Sequence, residues 1–352
     1  TNNETELFSV PLAGGTSVKL SNPLPVNGDI FGIEISADSS RVVYDGDQDV
    51  NNLFEIYSVP SAGGTSIQLN GPLVAGGRVF SYGISPDSSR VFYVADQDTN
   101  DVNELYSVPT TGGTATKLND TLVSGGDLQT IFVQFSPDSG RVLYYADQDT
   151  DEVWELYSVP AAGGTSVRLN GDLVAGGDVL FRDLQFSPDS SRVLYQAIQD
   201  TPGVAELYSV PTTGGTPIKL NPPFAAGMDI DDHQYSPDGS RVLYYADQDT
   251  DGVFEIYSVG ALGGTAVKLN GPLPPGGTVT AAGQQFTPDS SRVVYLAGQD
   301  TADVIELYSV LATGGTPVKL NSPLTSGGDV QAVHVSPDGS RVLYLADQDV
   351  DN

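Results

Sequence analysis

The chain has 352 residues and a formal net charge of −30, with 40 glycines, 23 prolines and no cysteine. So acidic a surface repels nucleic acids and anionic lipids, which argues against both as partners, and the lack of cysteine excludes disulfides and thiolate metal sites. No apolar run approaches the roughly 20 residues that a membrane helix needs, so we expect no membrane insertion.

A repeat of about 50 residues runs along the whole sequence, and such a period indicates a repeat architecture. The string Glu-Leu-Tyr-Ser-Val, with small variations, and the string Ser-Pro-Asp-x-x-Arg-Val-x-Tyr, also with variations, each occur seven times. The glutamates of the first string are Glu6, Glu55, Glu104, Glu155, Glu206, Glu255 and Glu306, and the arginines of the second are Arg41, Arg90, Arg141, Arg192, Arg241, Arg292 and Arg341.

The predicted elements begin with two strands, named c and d, between Glu6 and Leu20. Full repeats follow, each with four short strands, because β-branched and aromatic runs alternate with turn residues. In the repeat at 178–220 the order is strand a (179–186), a turn at Pro188-Asp189, strand b (192–197), an acidic loop, strand c (206–210), a turn at Gly214-Gly215 and strand d, which ends near Leu220.

The last predicted elements are a strand a and a strand b at residues 330–346, so each end of the chain carries half a repeat. Pairing the two halves would leave no exposed sheet edge. The sequence therefore predicts an all-β fold, a single seven-bladed β-propeller over residues 1–352 with four antiparallel strands in each blade. We expect residues 1–20 to pair with residues 329–352 in the closing blade.

The repeat motif resembles a known family. The run Ser-Pro-Asp-Gly-Ser-Arg-Val-Leu-Tyr at 236–244, the segment 247–259 and the triplet Gly263-Gly264-Thr265 are similar to the TolB-type propeller repeat of bacterial periplasmic and secreted proteins. The resemblance implies the propeller fold and a periplasmic, cell-surface or extracellular location. It implies no single function, because such blades occur in assembly factors, peptidase accessory domains and lyases.

The loop between strands b and c is longer than in the usual repeat and carries an extra acidic position. In the loop 247–255, oxygen-bearing side chains stand at positions 1, 3, 5 and 9, and Gly252 stands at position 6. Hard Ca²⁺ takes six to eight oxygen ligands from such spacings, and the loop resembles the D-x-D-x-D-G loops of integrin α-subunit propellers. About five calcium sites are predicted, from Asp47, Asp49, Asn51 and Glu55; Asp96, Asp98, Asn100 and Glu104; Asp147, Asp149, Asp151 and Glu155; Asp247, Asp249, Asp251 and Glu255; and Asp347, Asp349, Asp351 and Glu6.

Two further copies of this loop lack two of the four ligands, so we expect them to hold no calcium. Their equivalent residues are Ile198, Asp200, Pro202 and Glu206 in one copy, and Gly298, Asp300, Ala302 and Glu306 in the other. The alternative interpretation of all these loops is that their acids cap turn amides, without any metal.

A candidate ligand site lies where strand d runs into strand a of the next blade, on the same face as the acidic loops. Arg78 and Arg182 are the two basic residues outside the repeat frame, and Tyr82, Phe181, Asp231, Asp232, His233 and His334 are also found there. The alternative is varied packing of strand a around a water-filled channel.

We therefore expect a non-catalytic, calcium-binding scaffold for an unknown protein or glycan partner, either a monomer or part of a longer chain. An enzyme is the alternative, a lyase or hydrolase that uses a cation with Asp231, Asp232 and His233 at the channel mouth. These side chains match no known catalytic triad or metal triplet, which favours the scaffold.

Overall fold

The computed structural model describes residues 4–348, except for the side chains of Arg182 and Asp183. Over that range the regular secondary structure consists of β-strands, and no helix long and apolar enough to cross a membrane is found there. The chain forms two compact units. The first ends at Leu169 and also includes Thr212–Gly214, and the second begins at Asn170.

The first unit contains a two-stranded sheet followed by three four-stranded antiparallel sheets, each with its strands in chain order. The two-stranded sheet pairs β1 (Phe8–Ser9) with β2 (Val18–Lys19). The four-stranded sheets are β3 (Ile30–Ile35), β4 (Arg41–Gly46), β5 (Glu55–Pro60) and β6 (Ile67–Gln68); β7 (Val79–Ile84), β8 (Arg90–Ala95), β9 (Glu104–Pro109) and β10 (Thr116–Lys117); and β11 (Gln134–Phe135), β12 (Arg141–Ala146), β13 (Glu155–Pro160) and β14 (Val167–Arg168).

The second unit has three four-stranded antiparallel sheets followed by a two-stranded sheet. The two-stranded sheet pairs β27 (Val330–Val335) with β28 (Val342–Ala346). The four-stranded sheets are β15 (Val179–Phe186), β16 (Arg192–Thr201), β17 (Val204–Pro211) and β18 (Ile218–Lys219); β19 (Ile230–Tyr235), β20 (Arg241–Ala246), β21 (Glu255–Gly260) and β22 (Val267–Lys268); and β23 (Gln285–Phe286), β24 (Arg292–Ala297), β25 (Glu306–Leu311) and β26 (Val318–Lys319).

Strands b and c form the core of every four-stranded sheet, and their pairing has the same register in each. Arg141 lies opposite Pro160, and Tyr144 lies opposite Tyr157, whose ring stacks on it at 5.2 Å between centroids. Both strands are buried, and one face of the pair packs against the preceding sheet. Directly opposed aromatic residues stabilise a strand pair beyond the area that they bury.

The predicted turns between strands a and b are confirmed. In the turn after β19, the Ser236 hydroxyl donates to the Asp238 carboxylate at 2.6 Å, and the Ser240 amide donates to the same oxygen at 3.0 Å. These bonds, with that of Ser236 first, lower the pKa of Asp238 to about 2. Gly239 follows with φ of 70°, in the left-handed region that glycine adopts without strain.

Four antiparallel strands per repeat are thus confirmed for the six complete repeats between residues 4 and 348. Strand d has two residues in each of these six sheets. The pairing of residues 1–20 with residues 329–352 stays a prediction.

Side chains from strand a tie neighbouring sheets together. Gln185 Oε1 accepts a hydrogen bond from the Tyr235 amide at 2.8 Å. In the first unit the equivalent residue is Glu34, whose carboxylate oxygens accept from the Ile84 amide at 3.2 and 3.3 Å. Burial raises the pKa of Glu34 above its ordinary value, although the Ile84 hydrogen bond acts in the opposite direction. Glu34 therefore makes with a carboxylate the bond that Gln185 makes with an uncharged amide.

We expect Glu34→Gln to be more stable than the wild type at pH 7 and to match it near pH 3.5. A raised pKa in the folded state means that stability falls as pH rises from the unfolded value of about 4.3 through the folded value. Glutamine keeps an acceptor for the Ile84 amide but does not ionise, so the loss of stability with rising pH disappears. Urea unfolding at both pH values measures the difference.

The matched control is Asp303→Asn, which removes the same charge from an exposed side chain. The prediction is wrong if Glu34→Gln changes the free energy of unfolding equally at both pH values. It is also wrong if, at pH 7, Glu34→Gln stabilises the protein no more than Asp303→Asn does.

Candidate functional site

The first aspartate of each complete acidic loop acts as an internal cap. Asp247 is buried, and its two carboxylate oxygens accept from the Asp229 amide at 2.6 Å and from the Gly252 amide at 2.8 Å. Gly252 has φ of 75°, and the residues at the same position of the other three such loops, Asn52, Asp101 and Glu152, also have positive φ. This carboxylate therefore holds the left-handed turn of the loop and ties the loop to the segment that enters strand a.

The acids at positions 3 and 9 share a lysine that comes from strand d. Lys268 Nζ lies 2.6 Å from Asp249 Oδ2 and 2.6 Å from Glu255 Oε2. Burial lowers the pKa of Lys268, but hydrogen bonds and charge from Asp249 and Glu255 outweigh it and leave the pKa raised. The same bridge joins Asp98, Lys117 and Glu104; Asp200, Lys219 and Glu206; and Asp300, Lys319 and Glu306.

The glutamate at position 9 is buried and has further partners within its own repeat. Glu255 accepts from the Tyr257 hydroxyl at 3.2 Å and from Asn270 Nδ2 at 3.0 Å. The Asn270 side-chain oxygen in turn accepts from the Ile256 amide at 3.1 Å. The glutamate therefore belongs to a network that fixes the start of strand c.

The aspartate at position 1 caps amides as the alternative interpretation expects, whereas the acids at positions 3 and 9 pair with a lysine that neither interpretation foresaw. The lysine ammonium neutralises two carboxylates that the prediction assigned to calcium, and it does so equally in the two loops expected to hold none. Within residues 4–348, no three Asp, Glu or His side chains are grouped so that they could hold a metal ion. Calcium binding stays a prediction carried by the loop spacing.

In the remaining three sets strand d supplies an arginine, a lysine and a glutamine. Glu155 is bound by Arg168 at 2.9 Å, and Glu6 is bound by Lys19. Glu55 receives its hydrogen bond from the amide of Gln68, which carries no charge. Of the other residues in the fifth predicted set, Asp347 accepts from Gln331 at 3.2 Å, and Asp349 and Asp351 lie outside the described residues.

A cavity of about 430 Å³ opens in the first unit between strand a of one sheet and strand a of the next. Asp45, on β4, accepts hydrogen bonds from the Gly32 amide at 2.8 Å and from the Tyr82 hydroxyl at 3.1 Å. Burial, followed by the charge of Asp45, raises the pKa of Tyr82, so this phenol is a neutral donor. The lining consists of Gly32, Ile33, Glu34, Asp45, Val79, Phe80, Ser81 and Tyr82.

A second cavity of about 340 Å³ shares Phe80 with the first. The Arg78 guanidinium lies over the Phe80 ring at 4.6 Å from its centroid. The Phe54 ring, which also lines this cavity, contacts Phe31 at 5.4 Å between centroids. Aromatic and charged groups thus lie together on one side of the first unit.

The sequence identified two residues of this surface, Arg78 and Tyr82, and missed Glu34, Asp45 and Phe80. A signal for Asp45 was present. The residues that pair equivalently in other repeats are uncharged, namely Val94, Tyr145, Gln196, Tyr245 and Leu296.

The candidate residues of the second unit do not form one group. His233 is buried, with Nδ1 at 3.3 Å from Gln196 Nε2, and Asp232 Oδ2 accepts from Gln284 Nε2 at 3.2 Å. Asp231 is exposed on the same strand. Phe181 on β15 and His334 on β27 are also exposed, and the side chain of Arg182 lies outside what the structure describes.

No protein-family model matches this chain, and no curated protein matches it. Similar solved structures include Porphyromonas gingivalis dipeptidyl peptidase 4, at 12% identity and a TM-score of 0.61, with 92% of this chain and 50% of that chain covered. A putative TolB from Agrobacterium tumefaciens is 17% identical at a TM-score of 0.37, covering 80% and 94%. An oligogalacturonate lyase in complex with manganese is 16% identical at a TM-score of 0.44, covering 98% and 94%.

At such identities the likeness concerns the fold alone. The comparison of folds rests on the peptidase, whose TM-score is 0.61. This chain spans half of the peptidase's length. Together with the repeated four-stranded antiparallel sheets, the likeness to this peptidase identifies an all-β fold of the β-propeller type.

Proposed function

We propose that this chain is a non-catalytic, exported scaffold that binds a protein or glycan through the cavity surface of its first unit. The observation that carries the proposal is the cavity of about 430 Å³, where Phe80 and Tyr82 stand beside two carboxylates. Concave sites with aromatic walls and a few polar groups are where proteins bind ligands.

Exposed apolar groups next to the cavity support an interaction surface. Phe80 is 37% exposed and Phe31 is 57% exposed. Clustered apolar side chains that face water indicate contact with a partner, whereas single ones need no explanation. Phe80 borders both cavities, so it lies at the centre of the proposed surface.

The geometry of the second unit favours a scaffold over the lyase or hydrolase alternative. The catalytic groups of an enzyme must converge on the reacting atoms of one substrate. His233 is buried against Gln196, whereas Asp232 is engaged by Gln284. Export rests on the resemblance of the repeat motif, and a state as a monomer or as part of a longer chain stays a prediction.

Calcium binding is part of the proposal, and we now restrict it to the loop 47–55. In the lysine-bridged loops an ammonium already neutralises the acids at positions 3 and 9. Beside Asp49 and Glu55, strand d supplies the uncharged Gln68, so these acids receive no cation from that position. A divalent ion would supply the missing positive charge, and oxygen ligands are what Ca²⁺ prefers.

We further infer that strands β1 and β28 pair, which would complete a seventh blade. Leu343 and Leu345 on β28 are 64% and 66% exposed, whereas the equivalent residues of β20, Leu243 and Tyr245, are buried. Likewise Phe8 on β1 is exposed, whereas its equivalents on strand c are buried tyrosines. The register common to all complete sheets, such as Leu143 opposite Ser158, would place Leu343 opposite Ser9.

For the scaffold, we expect Phe80→Ala to weaken binding of the true ligand class at least about tenfold, because a central aromatic residue of an interface carries much of the affinity. Panels of immobilised glycans and peptides supply the ligands, and titration of each variant measures affinity. Leu262→Ala, which alters an exposed apolar residue elsewhere, is the control and should bind normally. A panel without binders, or turnover of a panel compound that His233→Gln abolishes, would refute the scaffold.

For calcium, calorimetric titration of chelator-stripped protein should show about one ion per chain. Asp49→Asn and Gln68→Lys should each abolish this binding, since they remove a ligand or install an internal cation. Asp249→Asn, in a lysine-bridged loop, should leave it unchanged. No heat of binding at all would remove calcium from the proposal, and about five ions would restore the five-site prediction.

For closure, the double variant Ser9→Cys/Leu343→Cys should form a disulfide within one chain on mild oxidation. By constraining the unfolded state, this bond should stabilise the protein by about 2–4 kcal/mol. Ser9→Cys/Leu345→Cys, displaced by two residues, is the control and should oxidise more slowly. Non-reducing gels and thermal melts measure both effects, and disulfide-linked dimers in place of monomers would contradict closure within the chain.

A further inference from the structure

We infer that the cavity of the first unit binds the positively charged side chain of a lysine or arginine in a basic segment of a partner protein. The inference rests on the proposed function and names the chemistry of the partner. It is drawn from the charge, the walls and the surroundings of the cavity.

Among the described residues, the two carboxylates of the cavity have hydrogen-bond partners that are all uncharged. Glu34 accepts from the Ile84 amide, and Asp45 accepts from the Gly32 amide and the Tyr82 hydroxyl. Neither acid takes part in the ion pairs found among residues 4–348. These bonds orient the carboxylates and leave their charge uncompensated, so a cationic ligand would gain from both.

The walls of the cavity suit an organic cation better than a metal ion. Tyr82 offers an aromatic ring, Ile33 and Val79 offer apolar surface, and the Phe80 ring already stacks with the Arg78 guanidinium on one face. An ammonium or guanidinium group is attracted to aromatic faces, and the methylene stem of lysine or arginine packs on apolar groups. A hard metal ion would need six or more oxygens, which these side chains do not supply.

The pair of acids is specific to one repeat. Gln234 and Tyr245 stand at the equivalent positions of the β19–β20 pair, and Gln285 and Leu296 stand at those of β23 and β24. Because these repeats form the same sheet with uncharged residues, the fold does not require Glu34 and Asp45. Burial even raises the pKa of Glu34, so holding its charge there costs stability.

The surroundings favour a basic protein segment over a free amine. The net charge of −30 attracts basic polymers and speeds their encounter. The second cavity adjoins the first at Phe80, and its lining contains two acids, Asp96 and Asp101, against one base, Arg78. An extended chain can use both cavities, whereas a small amine fills one.

The test uses the whole chain and the peptide acetyl-Ala-Ala-Lys-Ala-Ala-amide, titrated at low salt. The norleucine counterpart has the same stem without charge and should bind at least about tenfold more weakly. Asp45→Asn and Glu34→Gln should each weaken the lysine peptide by a similar factor. Glu34→Gln is expected to be at least as stable as the wild type at pH 7, so its loss of binding cannot come from unfolding.

The matched control is again Asp303→Asn, which removes one negative charge at an exposed position far along the sequence. If it weakens binding as much as Asp45→Asn, the attraction is diffuse and the inference fails. Equal binding of the norleucine peptide also overturns it. If n-butylammonium binds as tightly as the lysine peptide, the site is one for small amines and the assignment to a protein segment is wrong.

The outcome separates this inference from the proposed function. If a neutral glycan or peptide binds and its affinity depends on Phe80, while the lysine peptide does not bind, the inference is wrong and the proposed scaffold stands. Failure of both overturns both.

Discussion

The buried glutamate at the start of strand c in each complete sheet is the constraint on which the rest of this structure depends. A carboxylate removed from water must be hydrogen-bonded and neutralised. Glu255 meets this need through Tyr257, Lys268 and Asn270, and each of these residues comes from the same repeat. Because Asn270 also binds the Ile256 amide, satisfying the charge positions strand d against strand c.

The acidity of the chain follows in part from this arrangement. Asp247 caps amides of the loop and of the segment entering strand a, while Asp249 shares the lysine with Glu255. In the described loops, acids at spacings that suit a metal therefore cap backbone amides or pair with a lysine. In the loop 47–55, Gln68 takes the place of the lysine, so this loop has no cation from strand d. This one substitution distinguishes it from the lysine-bridged loops.

Function is best sought where the repeats differ. Strand a carries side chains that bond to the next sheet, and an amide such as Gln185 performs this role without charge. Glu34 performs it with a charge, and Asp45 adds a second one where other repeats have uncharged residues. Departures of this kind cost stability that the fold does not need to lose, and this cost supports the proposed ligand site.

The sequence by itself determined the order of strands and turns within a repeat and the number of repeats, because these depend on local patterns. Ser236, Asp238 and Gly239 specify a turn within five residues, and the opposed tyrosines of strands b and c specify a register. The sequence also contained a constant separation of 13 residues between the buried glutamate and its lysine, whose meaning depends on the c–d hairpin register.

Only the tertiary structure decided which groups meet across sheets. Spacing shows that Asp247, Asp249 and Glu255 share a loop, but it does not show that one faces amides and two face a lysine. In the same way, Asp45 and Tyr82 are far apart in the chain and come together because neighbouring sheets pack face to face. The direction of a side chain is set by packing partners remote in sequence, and for that reason the cavity could not be read from the repeat motif.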